Sequence, residues 1–195
     1  MEARYTSGAM IIGLTGMPGS GKSEVAKILE KRGFKALEMG NVIREEMKKR
    51  GIPMTNKNMR AFAIEFTQNR RTIVAQYMLR DIKMMKGRDF VISGVKRMEE
   101  VAYLKKHIPK KAGFVVVAVT APEMVRYARM KARSRPDDPL KLADFRFRDR
   151  KELSMGLGSV IRNADYVLLN TGTIAELRKN VDRLLAALRQ NDSHF

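Results

Sequence analysis

The stretch Gly16-Met17-Pro18-Gly19-Ser20-Gly21-Lys22-Ser23 puts three glycines, a lysine and a terminal serine hydroxyl into eight residues. Glycines let the main chain curl until several N–H groups point at one small anion. The lysine adds a mobile positive charge, and the serine beside it offers a neutral oxygen to a hard divalent cation. A phosphate chain carrying Mg²⁺ satisfies all three. The G-x-x-x-x-G-K-S spacing also stands in the context such a loop needs, because the apolar run "MIIGLT" (10–15) precedes it and an amphipathic stretch follows it. Lys22 is expected to reach the β- and γ-phosphates of ATP, and Ser23 to ligate Mg²⁺. Gly16, Met17, Pro18, Gly19, Ser20, Gly21 and Glu24 would line the phosphates. A plain turn between strand and helix would need neither the lysine nor the hydroxyl.

Other cations could meet phosphate. Arg44 stands in "EMGNVIREEMKKRG", Lys96 and Arg97 in "VISGVKR", and Arg129, Arg133, Arg135 and Arg148 in "RMKARSRPDDPLKLADFRFRDRKEL". Guanidinium groups suit bidentate phosphate contacts. In the last segment Arg126, just before it, and Lys131 read as solvated helix charges, while Asp137, Asp138, Asp149 and Glu152 read as partners for the arginines. The methionines, spread through the helices, read as fillers of core gaps. His107 ends a helix and His194 lies on the tail, so neither suggests a metal site.

These groups need a scaffold. Apolar runs at 10–15, 34–39, 89–93, 113–120 and 165–170 read as buried strands. Amphipathic stretches at 23–32, 41–50, 56–86 (with at least one break), 98–107, 122–133 and 174–188 read as helices. Alternation of this kind predicts a parallel sheet with helices on both faces. A chain of 195 residues is most simply one domain, over 10–190, able to bury roughly 70% of its unfolded surface without disulfides or structural metal. Residues 1–9 read as a flexible extension, and 41–86 and 129–153 as two inserts on the domain.

Composition narrows the partners. There is no cysteine, so no disulfide framework or zinc ribbon. No run approaches the ~20 apolar residues of a membrane helix and "MEARYTSGA" has no apolar signal core, so the expected location is the cytoplasm. The formal charge of +18 attracts polyanions, with RNA as a secondary possibility, because the basic residues recur through most helices instead of gathering on one element.

Taken in order, the motifs resemble those of nucleoside monophosphate kinases. Gly40, Asn41 and Arg44 echo a Gly-Asp-x-x-x-Arg in which the arginine holds the acceptor phosphate, and Gly94 with Arg97 echoes Asp-Gly-x-x-Arg. "SRPDDP" and "FRDRKEL" resemble an arginine-rich lid, and "NADYVLLNTGTIAELRKNV" resembles the last strand, adenine loop and final helix of dephospho-CoA kinases. The whole looks like an archaeal family of adenylate-kinase-related, dephospho-CoA-kinase-like proteins. In that alignment Lys96, not Arg97, takes the family arginine's place. The resemblance implies the P-loop NTPase fold: a five-stranded parallel sheet, a helical acceptor-binding insert and a lid. It implies transfer of the γ-phosphate of ATP, with Mg²⁺, to a nucleotide or nucleotide-like acceptor. Lys22, Arg44, Arg97 or Lys96, Arg133 and Arg148 would do the chemistry, Arg129 would join the ATP site, and Asn170, Thr171 and Gly172 would hold the adenine.

Asn41 and Ser93 stand where such kinases carry aspartates. Asp89 cannot replace Ser93, because it lies at the wrong end of its strand, ~13 Å from the edge where sites of open sheets form. A nucleotide phosphate, already ionised, needs no general base, so the acceptor reading leans toward it. Glu38 remains available as a base for a hydroxyl acceptor. Two rival readings are a nucleotide-binding regulatory protein that has lost transfer, and a slow ATPase acting on RNA. Ser93→Asp is expected to raise ATP turnover by ~10-fold, and only when Mg²⁺ is present. Turnover measured across a Mg²⁺ series checks this, and a flat response would mean that the metal is held in another way.

Overall fold

The computed structural model describes residues 9–85, 89–110, 112–133 and 141–191. Five strands, β1 (Ala9–Thr15), β2 (Lys35–Glu38), β3 (Phe90–Ser93), β4 (Ala112–Thr120) and β5 (Tyr166–Leu169), form one parallel sheet in the order β2-β3-β1-β4-β5. Every residue of β1 is buried, as a central parallel strand covered on both faces requires. Ala9, counted above with the extension, is already part of β1 and pairs with Ala112.

The helices are α1 (Lys22–Glu30), α2 (Met39–Lys49), α3 (Asn56–Gln68), α4 (Ile73–Met84), α5 (Met98–His107), α6 (Glu123–Arg133), α7 (Leu142–Ser154), α8 (Leu157–Arg162) and α9 (Ile174–Asn191). One core lies between the sheet and α1 with α9, through Val25, Leu29, Leu177, Val181 and Leu185. The other lies on the opposite face, where Val42, Met47, Met78, Leu79, Val101 and Leu104 pack from α2, α4 and α5. The expected break in 56–86 is the turn between α3 and α4.

The chain leaves β1 for the β2 edge, returns through β3, and only then crosses to β4 on the far side of β1. The order therefore reverses at β1, and the carboxyl end of that strand faces the crevice where ligands of open α/β sheets bind.

The described part of the segment 129–153 comprises the end of α6, expected over 122–133, and most of α7, which is anchored by the fully buried Phe145. Arg135, Asp137, Asp138 and Lys86, like residues 1–8 and His194, lie outside the described residues. The methionine reading holds for Met10, Met39, Met47, Met78 and Met130, which are buried, and fails for Met54, Met84, Met85, Met98, Met124 and Met155, which are exposed.

Candidate phosphate-binding site

The loop leaves β1 at Thr15 and enters α1 at Lys22, directly at the reversal point of the sheet. It is pressed from two sides. Gly19 has a φ of 78°, and a Cβ there would lie 2.7 Å from the carbonyl oxygen of Arg126 on α6. Gly21 has a φ of 101°, and a Cβ would collide with the side-chain amide of Asn170. Both positions thus need glycine twice over, for the left-handed backbone and for the space. Among the described residues, the N–H groups of Gly19, Gly21, Lys22 and Ser23 have no backbone acceptor, whereas Ser20 N–H donates to Met17 O at 3.1 Å. The Ser20 hydroxyl is buried without a hydrogen-bond partner. An array of unclaimed donors at a helix start fits a phosphate chain.

Lys22 lies partly buried and folds back on its own loop, donating to Gly16 O at 2.7 Å and Met17 O at 3.1 Å. Loss of water around the ammonium is the main reason its pKa falls to about 8. The charge of Lys96 is the next cause, and those of Arg133 and Arg126 add to it, while Glu152 opposes them. Four cations acting on one point, with a lysine that begins to lose its charge only near pH 8, describe a site built for an anion. Ser23, the second residue of α1, is exposed beside this point. Its neutral hydroxyl suits a metal that arrives already bound to phosphate. Among the described residues no three acidic or imidazole groups form a cage for a free ion. Glu24 is placed differently from the expectation, since its carboxylate pairs with Lys27 at 2.8 Å and its N–H is used by Gly21 O.

Asn170 is buried and braces the loop. Its Nδ2 donates to Ser20 O at 2.9 Å, its N–H to Thr120 O at 2.8 Å, and its two oxygens accept from Arg129 at 3.0 and 3.2 Å. Thr171 and Gly172 are exposed immediately beyond it. Arg129 and the 170–172 turn therefore stand together at one flank of the loop, although the Asn170 side chain is occupied with the loop itself.

On the other flank, Lys96 and Arg97 separate. The Lys96 ammonium meets Glu152 of α7 at 3.0 Å, and its charge acts on Lys22. The charge of Arg97 acts on Glu99, and those of Arg97 and Lys96 both act on Glu100, at the start of α5. Glu100, buried and raised in pKa by that burial, accepts from the N–H groups of both Lys96 and Arg97 and fixes the turn. At the end of β2, Arg44 bonds Asn41 Oδ1 at 2.6 Å and lies 3.6 Å from Glu38. Glu38 is the register partner of Ser93. Asp89 accepts from Met10 N–H at 2.9 Å, at the amino end of the sheet, as its position implied. Arg133 is exposed at the end of α6, and Arg148 partly buried on α7.

The residue missed altogether is Arg126. Instead of being solvated it is 6% exposed and held by Asp149 in a bidentate pair at 3.0 and 2.6 Å. It also donates to Pro18 O of the loop and Ala121 O, both at 3.2 Å, and stacks on Phe145. The available signal was helical phase: Arg126 precedes the buried Met130 by four residues and Asp149 follows the buried Phe145 by four, so both charges sit on core-facing positions.

Comparison with known proteins agrees with this architecture. Residues 15–144 match the model of a family described as an AAA domain. A UPF0200 protein of Thermococcus kodakarensis is 40% identical over 186 residues, covering 92% of this chain and all of that one. The shikimate kinase of Acinetobacter baumannii, solved in complex with shikimate, superposes with a TM-score of 0.63 at 18% identity over 95% of both chains. A gluconokinase from Sinorhizobium meliloti superposes with a TM-score of 0.60 at 19% identity, over 96% of this chain and 97% of that one.

The depressed Lys22 pKa gives a pH test. Bound triphosphate favours the charged ammonium and raises its pKa above the free value of about 8. Below pH 8 the lysine is charged in both states and ATP affinity is flat. Above it, binding must take up a proton, so affinity falls by up to about tenfold per pH unit until the pKa of the complex is passed. Calorimetry at pH 7 and 9, in buffers of different ionisation enthalpy, should show proton uptake only at the higher pH. Lys22→Ala should abolish that difference.

Proposed function

The chain belongs to the UPF0200 family, and from that premise we propose that it is an ATP-dependent phosphotransferase acting on a small phosphorylated acceptor of the nucleotide type. The observation that carries this reading is the convergence of the charges of Lys96, Arg133 and Arg126 on Lys22, at a loop whose Gly19, Gly21, Lys22 and Ser23 amides have no backbone acceptor. A protein that only needed a turn here would not assemble that repulsion. In the proposed roles Lys22 leaves Gly16 O and Met17 O for the phosphates. Lys96, steadied by Glu152, neutralises charge on the transferring group, with Arg133 and Arg148 as further cations. Mg²⁺, held by Ser23 and the phosphates, would add Lewis-acid charge neutralisation. Arg129 with Asn170, Thr171 and Gly172 would form the adenine side, and Arg44 would bind the acceptor's phosphate. Arg97, directed to the start of α5, passes its proposed role to Lys96. The region 41–86 is on this reading the acceptor side of a single domain, and the product is a nucleotide longer by one phosphate.

A second reading is favoured by one contact. Glu38 stands at the carboxyl end of β2, opposite Ser93 and 3.6 Å from Arg44. A carboxylate there could take the proton of a hydroxyl acceptor, as a dephospho-CoA-type transfer would need. The fold neighbours named for shikimate and gluconate phosphorylation are compatible with that class as well.

The test is a panel of nucleoside monophosphates, dephospho-CoA and hydroxylated acids incubated with Mg-ATP, with products identified by phosphorus NMR. Lys22→Ala should remove all detectable transfer. Arg44→Ala should raise the acceptor KM by roughly tenfold while leaving ATP affinity within about twofold. Glu38→Gln should spare transfer to a phosphate and abolish transfer to a hydroxyl. ATP binding without transfer to any acceptor would instead support a regulatory protein.

A further inference from the structure

The Arg126–Asp149 pair joins three parts of the chain at one guanidinium. Arg126 belongs to the first turn of α6, Asp149 to α7, and the accepting Pro18 O to the middle of the phosphate loop. Four hydrogen bonds and one ring face engage this guanidinium: two contacts to the carboxylate, one to the loop, one to Ala121 O, and the face against Phe145 at 5.0 Å. One turn further along α7, Glu152 holds Lys96. A single helix thus reaches the loop through Asp149 and Arg126, and reaches the opposite flank through Glu152.

We propose that Arg126 is a positioning residue: by holding Pro18 O while locked to Asp149, it keeps the loop in its phosphate-receiving shape and sets the loop against the α7-borne Lys96 partner. The inference rests on the phosphotransfer reading for its consequence, but the loop geometry can be tested without it. Pro18 has no N–H of its own and lies between the left-handed Gly19 and the Met17 carbonyl that accepts from Lys22. Fixing its carbonyl plane therefore fixes the direction of the Gly19 N–H, because the two share one peptide unit. A merely structural ion pair would hold α6 against α7 and would have no effect on that amide.

A charge-free replacement separates the two roles. Removing one partner strands a buried charge, whereas replacing both with apolar side chains of similar volume usually preserves folding. Arg126 lies against the buried Phe145 and the pair borders a cleft of about 510 Å³ walled by Met17, Leu153 and Ile161 as well as by the charged Glu123, Arg146, Arg150 and Arg162, so apolar replacements keep Phe145 as an apolar neighbour. Arg126→Met combined with Asp149→Leu should keep the melting temperature near that of the parent and weaken ATP binding at least threefold by calorimetry. It should also lower the backbone NMR order parameter of the Gly19 N–H, since its peptide plane is no longer held. A folded double variant that binds ATP within threefold of the parent, with an unchanged order parameter at the Gly19 N–H, overturns the proposal.

Should the double variant not fold, Arg126→Lys serves, since an ammonium can keep Asp149 but cannot span carboxylate, Ala121 O and Pro18 O as the planar fork does. The same threefold criterion applies to it. If the parent itself binds no ATP, the phosphotransfer reading fails. The order parameter of the Gly19 N–H then decides the positioning role alone, an unchanged value in the variant overturning it.

Discussion

Positive charge that has been stripped of water at the end of β1 is the constraint on which this molecule is organised. Lys22 has little solvent of its own, and Lys96, Arg133 and Arg126 all press on it. Such an arrangement is self-destabilising without compensation, since a desolvated ammonium among cations gains nothing from its neighbours. Compensation comes from two sources: the carbonyls of Gly16 and Met17, and the carboxylates of α7. The carboxylates neutralise the surrounding cations without touching Lys22, so the lysine stays available to an incoming anion.

The rest of the fold serves that requirement. Placing the loop at the reversal of strand order lets elements from both halves of the sheet reach it: β3 and its following turn bring Lys96, while β4 and α6 bring Arg126 and Arg129. The β5–α9 turn brings Asn170. No single hairpin or helix could supply cations and braces from so many directions. Close packing then excludes side chains from the loop, which is why Gly19 lies under α6 and Gly21 against Asn170. The side proposed to take the acceptor is built more loosely. The Arg44 and Glu38 side chains remain 40% and 54% exposed, against 8% and 12% for those of Arg126 and Asp149, so the rigid half of the site is the one expected to hold the common donor.

Most of the sheet was legible because its strands are continuous apolar runs: "GFVVVAVT" has no other economical reading than a strand covered on both faces. The phosphate loop was legible for a different reason, its residues being needed in fixed order by the chemistry itself. What could not be read was the partnership of charges. In "LADFRFRDRKELS" the buried Asp149 and the half-buried Glu152 look like their exposed neighbours Arg146, Arg150 and Lys151, and α7 has Phe145 as its one fully buried large apolar anchor. Local sequence says that a residue is charged. Only the tertiary fold says that Arg126, from α6, will meet Asp149. The same limit left Lys96 and Arg97 undecided, since adjacent residues diverge according to where the turn is pinned, here by Glu100.

That limit also bears on the +18 charge, which by itself suggests a polyanion-binding surface. The structure divides the basic residues into two populations with different physics. Arg32 with Asp182, Lys27 with Glu24 and Arg71 with Glu99 are exposed pairs, and at physiological salt their influence fades within about 8 Å. Arg126 and Lys22 are withdrawn from solvent, where ions screen them poorly and where charge acts at short range with more force. An exposed, screened population gives only a short-range attraction toward any anion and little selectivity. The withdrawn population can discriminate, because only an anion small enough to enter the curl of the loop replaces the carbonyls that Lys22 must give up. Net charge therefore describes how an anion is drawn to the surface, and the geometry at residues 16–23 determines which part of it can enter.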